Sequence, residues 1–150
     1  MIRSLGTLVL AAILAGATAP QPLAAQEPDA APTREQAAQR AAEIWLALIG
    51  EAKYAESWQA AGSQFKQAVT SEQWTQQGAN VAAQLGAFQR RELQDAQHTT
   101  ELPNAPAGEY MVLTYSSAFA NLPNAREVAI LQLEEGEWKV VGYFVQPAQG

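Results

Sequence analysis

The sequence has no cysteine and a single histidine, and each shortage removes a class of chemistry. Without cysteine there is no disulfide framework of the kind small exported domains use, and no thiol to carry a lipid anchor. The fold must rest on core burial. One histidine is too few for zinc, whose structural sites want four Cys or His ligands and whose catalytic sites want about three protein ligands. Aspartate is confined to Asp29 and Asp95, so the closely spaced oxygens of a calcium loop are missing. The acidic run Glu134-Glu135-x-Glu137 reads as a solvated hairpin turn. Neither a metal nor another cofactor is expected.

Basic residues are also few, nine Lys plus Arg against fifteen Asp plus Glu, for a formal net charge of −6. The one adjacent basic pair is Arg90-Arg91. Phosphate-backbone binding depends on clustered cations, so this balance opposes it and no nucleic-acid partner is expected. There is no Gly-x-Ser-x-Gly elbow, and any imidazole-based triad would have to pass through His98. On an alternating strand His98 shares a face with Glu92, Gln94, Ala96 and Thr100, with Asp95 on the other, and reads as a surface residue.

A membrane-length hydrophobic run is missing too. The apolar stretch Leu5 to Ala17 is about thirteen residues, short of the roughly twenty that span a bilayer. What is there instead is an ordered leader: Arg3, the apolar run, then Leu23-Ala24-Ala25. This is the layout of a secretory signal peptide over residues 1–25. Cleavage after Ala25 makes Gln26 the first mature residue, because Pro20 spoils the earlier Ala17-Thr18-Ala19 site. The expected destination is periplasmic or secreted, with no stable membrane anchor after cleavage. Loss of Arg3 makes the chain one unit more acidic, and the remaining length suits one domain.

Residues 26–32 form a Pro/Ala/Asp linker without periodicity. Thr33 with Gln36 has the spacing of a capping box. Ala37, Ala41, Ile44 and Leu48, with Ala38, Trp45 and Ile49, then make an apolar stripe over a helix from about 34 to Gly50. Lys53 to Ala61 and Ser63 to Val69 read as short helices. Thr70 with Gln73 repeats the box, and Trp74, Val81, Leu85 and Phe88 predict a further helix packed by one face, with Gly78 admitting a neighbour. Trp45, Trp58 and Trp74 are read as core.

Beyond Phe88 the period becomes alternating. Arg91 to Leu102 reads as a polar edge strand and Glu109 to Phe119 as a strongly β-prone one. A turn is expected over Asn121 to Asn124, then a hairpin of Arg126–Glu134 and Glu137–Gln146 about Glu135-Gly136. Uninterrupted pairing sets Leu133 against Trp138, Leu131 against Val140, Ala129 against Gly142 and Glu127 against Phe144. Residues 147–150 are left as a tail. The predicted fold class is α+β, N-terminal helices packed on a curved antiparallel sheet of about four strands over residues 33–146.

Leu102-Pro103, Pro106-Ala-Gly108-Glu109-Tyr110, Tyr115 to Asn121, Glu127 and Trp138-Lys-Val-Val-Gly142-Tyr143-Phe144 follow one another in a familiar order. So do the earlier Trp45-Leu46, Trp58, Phe65, Trp74, Leu85-Gly86 and Arg91. Together they resemble the bacterial exported family known as domain of unknown function 4019, over about residues 35 to 146. The element order is also similar to the cone-shaped fold of nuclear-transport-factor-2-like and cystatin-like domains. The resemblance supplies no substrate and no catalytic residue.

Glu127 is the one charge on an otherwise apolar strand face, and a buried carboxylate is costly unless paired. Arg91 and Arg126 are candidate partners, and Tyr110, Tyr115 and Tyr143 candidate donors. Glu127, Arg91, Tyr115 and Tyr143 are the polar-pocket candidates, for a cationic or hydrogen-bonding ligand. Ile130, Val141, Tyr143 and Val145 are placed together on the outer face as a possible interface, for an envelope protein or a homodimer. The leading expectation is a noncatalytic module binding a small ligand or an envelope protein. The alternative is a small-molecule enzyme using Glu127 or His98 as acid or base.

Overall fold

A computed structural model describes residues 31–149. The leader expected over residues 1–25, and residues 26–30 of the linker, lie outside the described residues. Both capping boxes form. Thr33 Oγ1 accepts the Gln36 N–H at 3.2 Å while Gln36 Oε1 accepts the Thr33 N–H at 2.9 Å, opening α1 (Arg34–Gly50). Thr70 and Gln73 repeat the exchange at 3.2 and 3.0 Å to open α4 (Ser71–Leu85). Between them lie α2 (Tyr54–Ala60) and α3 (Ser63–Ala68). The helix expected to reach Phe88 stops at Leu85, because Gly86 adopts φ 74° and turns the chain out.

Four strands follow: β1 (Phe88–Thr99), β2 (Tyr110–Phe119), β3 (Leu122–Glu134) and β4 (Glu137–Pro147). They form an antiparallel meander in chain order, with the helices before them, so the chain has the α+β architecture read from its sequence. Glu135 and Gly136 both take positive φ, 51° and 84°, in the tight turn that joins β3 to β4. The β2–β3 turn is shorter than expected. It occupies Ala120-Asn121, Phe119 faces Leu122, and Pro123 is already in the strand beside a register shift.

Two bulges overturn the face assignments made from alternation. In the last hairpin Leu131 faces Val140 as expected, but the register then slips, so that Ile130 faces Gly142, Ala129 faces Tyr143 and Glu127 faces Val145. One extra residue inverts the faces of all that follow it. Tyr143 and Val145 thereby join the Glu127 side, and Phe144 moves to the other side, where it is 59 % exposed. In β1 a slip between Leu93 and Asp95 aligns Arg91 with Ser117, Leu93 with Tyr115, Ala96 with Leu113 and His98 with Met111. His98 therefore shares its face with Arg91, Leu93 and Ala96, not with Glu92 and Gln94.

The helices cover the face that carries Met111, Leu113, Tyr115, Ala129, Leu131 and Val140, all buried. α1 meets it through Ala38, Ala42, Trp45 and Leu46. The two alanines let the helix axis approach closely, and the stripe is rotated from the expected one: Ile44 is 69 % exposed. Trp45, Phe65 and Trp74 pack edge-to-face or tilted at 4.9–5.9 Å between centroids. Each core indole N–H is satisfied: Trp45 donates to the Ser57 carbonyl, Trp58 to the Val69 carbonyl and Trp74 to Ser57 Oγ. The edge of β4 is partly closed by the Gly62 N–H, which donates to the Val140 carbonyl at 2.8 Å. A Cβ there would lie 2.7 Å from Val141 Cγ1, which only glycine avoids.

α4 behaves differently. None of its residues is buried. It leans on α2, where Gly78 sits so close to the Tyr54 ring that a Cβ would come within 2.5 Å of it. Its C-terminal end is tied to the β2–β3 turn, with the Asn121 N–H on the Leu85 carbonyl and Asn121 Nδ2 on the Gln84 carbonyl. Val81 and Leu85 are thus held off the sheet, while Trp74 in the first turn packs on Trp45 and Phe65.

Candidate functional site

The carboxylate of Glu127 is wholly buried on the helix-facing side of β3. Arg91 of β1 grips it through Nε on Oε2 and Nη2 on Oε1, the latter at 3.0 Å. Ser117 Oγ of β2 donates to Oε2 at 2.8 Å, and the Tyr143 hydroxyl of β4 donates to Oε1 at 2.7 Å. Each of the four strands contributes one residue to this clamp. Two donors reach each oxygen, which fills the roughly four lone-pair positions of a carboxylate. Bidentate pairing with arginine is the geometry in which a buried charge is best compensated.

The surroundings tune the partners. Burial raises the Tyr143 hydroxyl well above the ordinary tyrosine range, reinforced by the field of Glu127 and by the hydrogen bond to it. Burial opposes the Arg91 charge, but the hydrogen bonds and field of Glu127 outweigh that, and the guanidinium pKa rises. Tyr115 is pushed up to about 12, first by burial and then by the field of Glu43 on α1. It is only 2 % exposed and its hydroxyl has no hydrogen-bond partner.

This clamp floors the cleft that α4 leaves open. The cleft holds about 1100 Å³ between α1, α4 and the sheet. Its walls are apolar, built from Leu46, Ile49, Val81, Leu85, Phe88, Leu93, Phe119 and Val145, with Glu43 and Gln39 on the α1 side. Val81 is 39 % and Phe88 47 % exposed, large apolar side chains that face the opening. Phe88 also lies against the Arg91 guanidinium, 4.6 Å from ring centroid to carbon. Among the described residues no group of three His, Cys, Asp or Glu is placed to hold a metal ion, and no helix is long and apolar enough to cross a membrane.

The family model for a protein of unknown function, DUF4019, matches residues 41–143. The chain belongs to the DUF4019 family. The match spans α1 from its middle through most of β4, so it takes in the clamp and both main walls of the cleft. No curated protein matches the chain.

In this DUF4019 domain, Glu127, Arg91 and Tyr143 meet directly and Tyr115 lines the same cleft. The other proposed partners of Glu127 do not reach it. Arg126 is exposed and pairs with Ser116 and Gln146 across the strands. The Tyr110 hydroxyl donates to the Pro106 carbonyl and accepts from Gln64. His98 lies roughly 20 Å along β1 from Arg91 at strand rise, and its Nε2 is 3.3 Å from Arg34 Nη1. The four residues assigned to an outer interface do not share a face. Ile130 is on the outer side, Val141 sits at the bulge against Gly62, and Tyr143 and Val145 line the cleft.

Ser117, Glu43 and the apolar walls escaped sequence reasoning. Ser117 had a signal, being a polar residue in step with Tyr115 on a buried strand. The walls had none, since a stripe that lines a cleft has the same spacing as one that packs.

Proposed function

We infer that the chain is an exported, noncatalytic binding module whose cleft takes a small, largely apolar molecule. The observation that carries this reading is the cleft beneath α4, about 1100 Å³ with apolar walls and a single convergent polar floor. Ligand sites are concave and mostly apolar, with a few placed polar groups, and run to roughly 1000 Å³. The order of Arg3, the apolar run and Leu23-Ala24-Ala25 supports export. The saturated Glu127 supports binding over acid–base chemistry, because two donors already occupy each oxygen.

The test uses a neutral apolar fluorophore, N-phenyl-1-naphthylamine, titrated into the full chain. One saturable site is expected, with energy transfer from Trp74 in the cleft wall. Val81→Trp fills the cleft from an exposed position and leaves the fold intact, so circular dichroism stays unchanged while binding falls at least about tenfold, the size expected when a bulky ring blocks an apolar pocket. No saturable binding, or equal binding by the Val81→Trp variant, refutes the reading.

A further inference from the structure

The cleft has an electrostatic asymmetry that bears on its ligand. Three of its lining residues are of the formally charged types: Glu43, Arg91 and Glu127. Arg91 and Glu127 cancel in a bidentate pair, and the ring of Phe88 covers the guanidinium. Glu43 is left over. It is exposed, at the α1 wall, and its only hydrogen bond among the described residues comes from the flexible Gln39 side chain at 3.0 Å.

The Tyr115 hydroxyl, buried and with no partner of its own, belongs to the same cleft lining as Glu43. Buried hydroxyls are almost always hydrogen-bonded, and one that is not calls for an explanation such as an absent ligand. Both groups offer oxygen lone pairs to whatever enters. A carboxylate ligand would bring a third acceptor and a like charge. An ammonium group would donate to both oxygens and neutralise the surplus charge.

Resting on the reading of the cleft as a ligand site, we propose that its ligand is a cationic amphiphile, an apolar body with an amine head. The apolar body lies against Val81, Leu85 and Phe88, and the amine sits between Tyr115 Oη and the Glu43 carboxylate. The negative charge of the whole chain, −6, favours the encounter as well. No covalent step is involved.

Competition against N-phenyl-1-naphthylamine on the full chain tests this with octylamine, octanol and octanoate, which share one tail and differ in head. Octylamine is expected to compete roughly tenfold better than octanol, the scale of one charge pair near a protein surface, and octanoate worst. Glu43→Gln, a substitution on an exposed helix face, should abolish the advantage of the amine over the alcohol. Glu137→Gln, which removes an equal charge at the far hairpin, should leave it unchanged. Tyr115→Phe should weaken amine and alcohol severalfold without affecting the fluorophore.

Octanoate competing as well as octylamine would overturn the proposal. So would an amine preference that survives Glu43→Gln, or one lost equally in Glu137→Gln. In those cases the fluorophore still binds and the cleft reading stands. If the fluorophore itself does not bind, the cleft reading fails and this one with it.

Discussion

The two ends of the helix-covered sheet face obey different rules. At the hairpin end, α1 and α3 press Trp45 and Phe65 onto the face of Met111, Leu131 and Val140, and little is exposed. At the other end α4 packs only Trp74 against the core and fully buries none of its residues. The cause is local. α1 presents alanines to the sheet and can come close, whereas α4 is held by the Gly78 contact with Tyr54 at one point and by the Asn121 hydrogen bonds at its end. Both anchors lie outside the sheet face, so the space between is open. The cleft in this molecule is where packing was withheld, with one polar clamp beneath the gap.

Breaking the clamp should have the largest effect. Arg91→Met leaves the Glu127 carboxylate buried with two fewer donors, and removal of one partner of a buried pair costs about 3–5 kcal/mol. Urea unfolding should show a loss of that size, and Glu127→Gln in the same chain should recover part of it in a double-mutant cycle. A loss below about 1 kcal/mol would mean that the clamp is solvated and that the two ends differ less than described.

A paired truncation measures the contrast itself. Leu131→Ala, at the packed end and 0 % exposed, should cost about 2–5 kcal/mol. Val81→Ala, at the open end and 39 % exposed, should stay within about 1 kcal/mol. Equal costs would mean that α4 closes on the sheet in solution.

The smallest effect at neutral pH is expected from Tyr115→Phe, which removes an unpartnered buried hydroxyl and should be neutral or stabilising by up to about 1 kcal/mol. Its signature is at high pH. The folded Tyr115 titrates at about 12 against an ordinary value of 10.0. The unfolded chain therefore releases its proton first, and the stability contribution, complete below pH 10, is lost as pH rises through 10 to 12. Tyr115→Phe should flatten that part of the pH–stability curve. Spectrophotometric titration should show at least two of the four tyrosines, Tyr115 and Tyr143, ionising late. An unchanged alkaline slope would place the Tyr115 hydroxyl in water instead of in the cleft lining.

Much of the fold was legible because it is written locally. The capping boxes at Thr33 and Thr70 and the Glu135-Gly136 turn each depend on a few neighbouring residues, and their chemistry fixes helix starts and a hairpin. The pairing of Glu127 with Arg91 was legible too, because a lone carboxylate in an apolar strand demands a cation. The choice of Tyr143 over Tyr110 as donor was within reach only as an alternative, and the placement of Tyr143 on the outer face was wrong. A bulge adds one residue to one strand, and alternation carries no mark of where that happens.

The sequence by itself determined the element types and their order, the lack of any thiol, and the need of Glu127 for a partner, since these follow from residue identity and short-range periodicity. Only the tertiary structure decided which side each strand residue faces beyond Leu93 and Leu131, and that Val81 and Leu85 of α4 line a cleft instead of a core. Register slips and helix standoff are set by contacts between segments far apart in the chain, such as Gly62 against Val140 and Asn121 against Leu85, and a local pattern cannot encode the distance between two surfaces that both want to be buried.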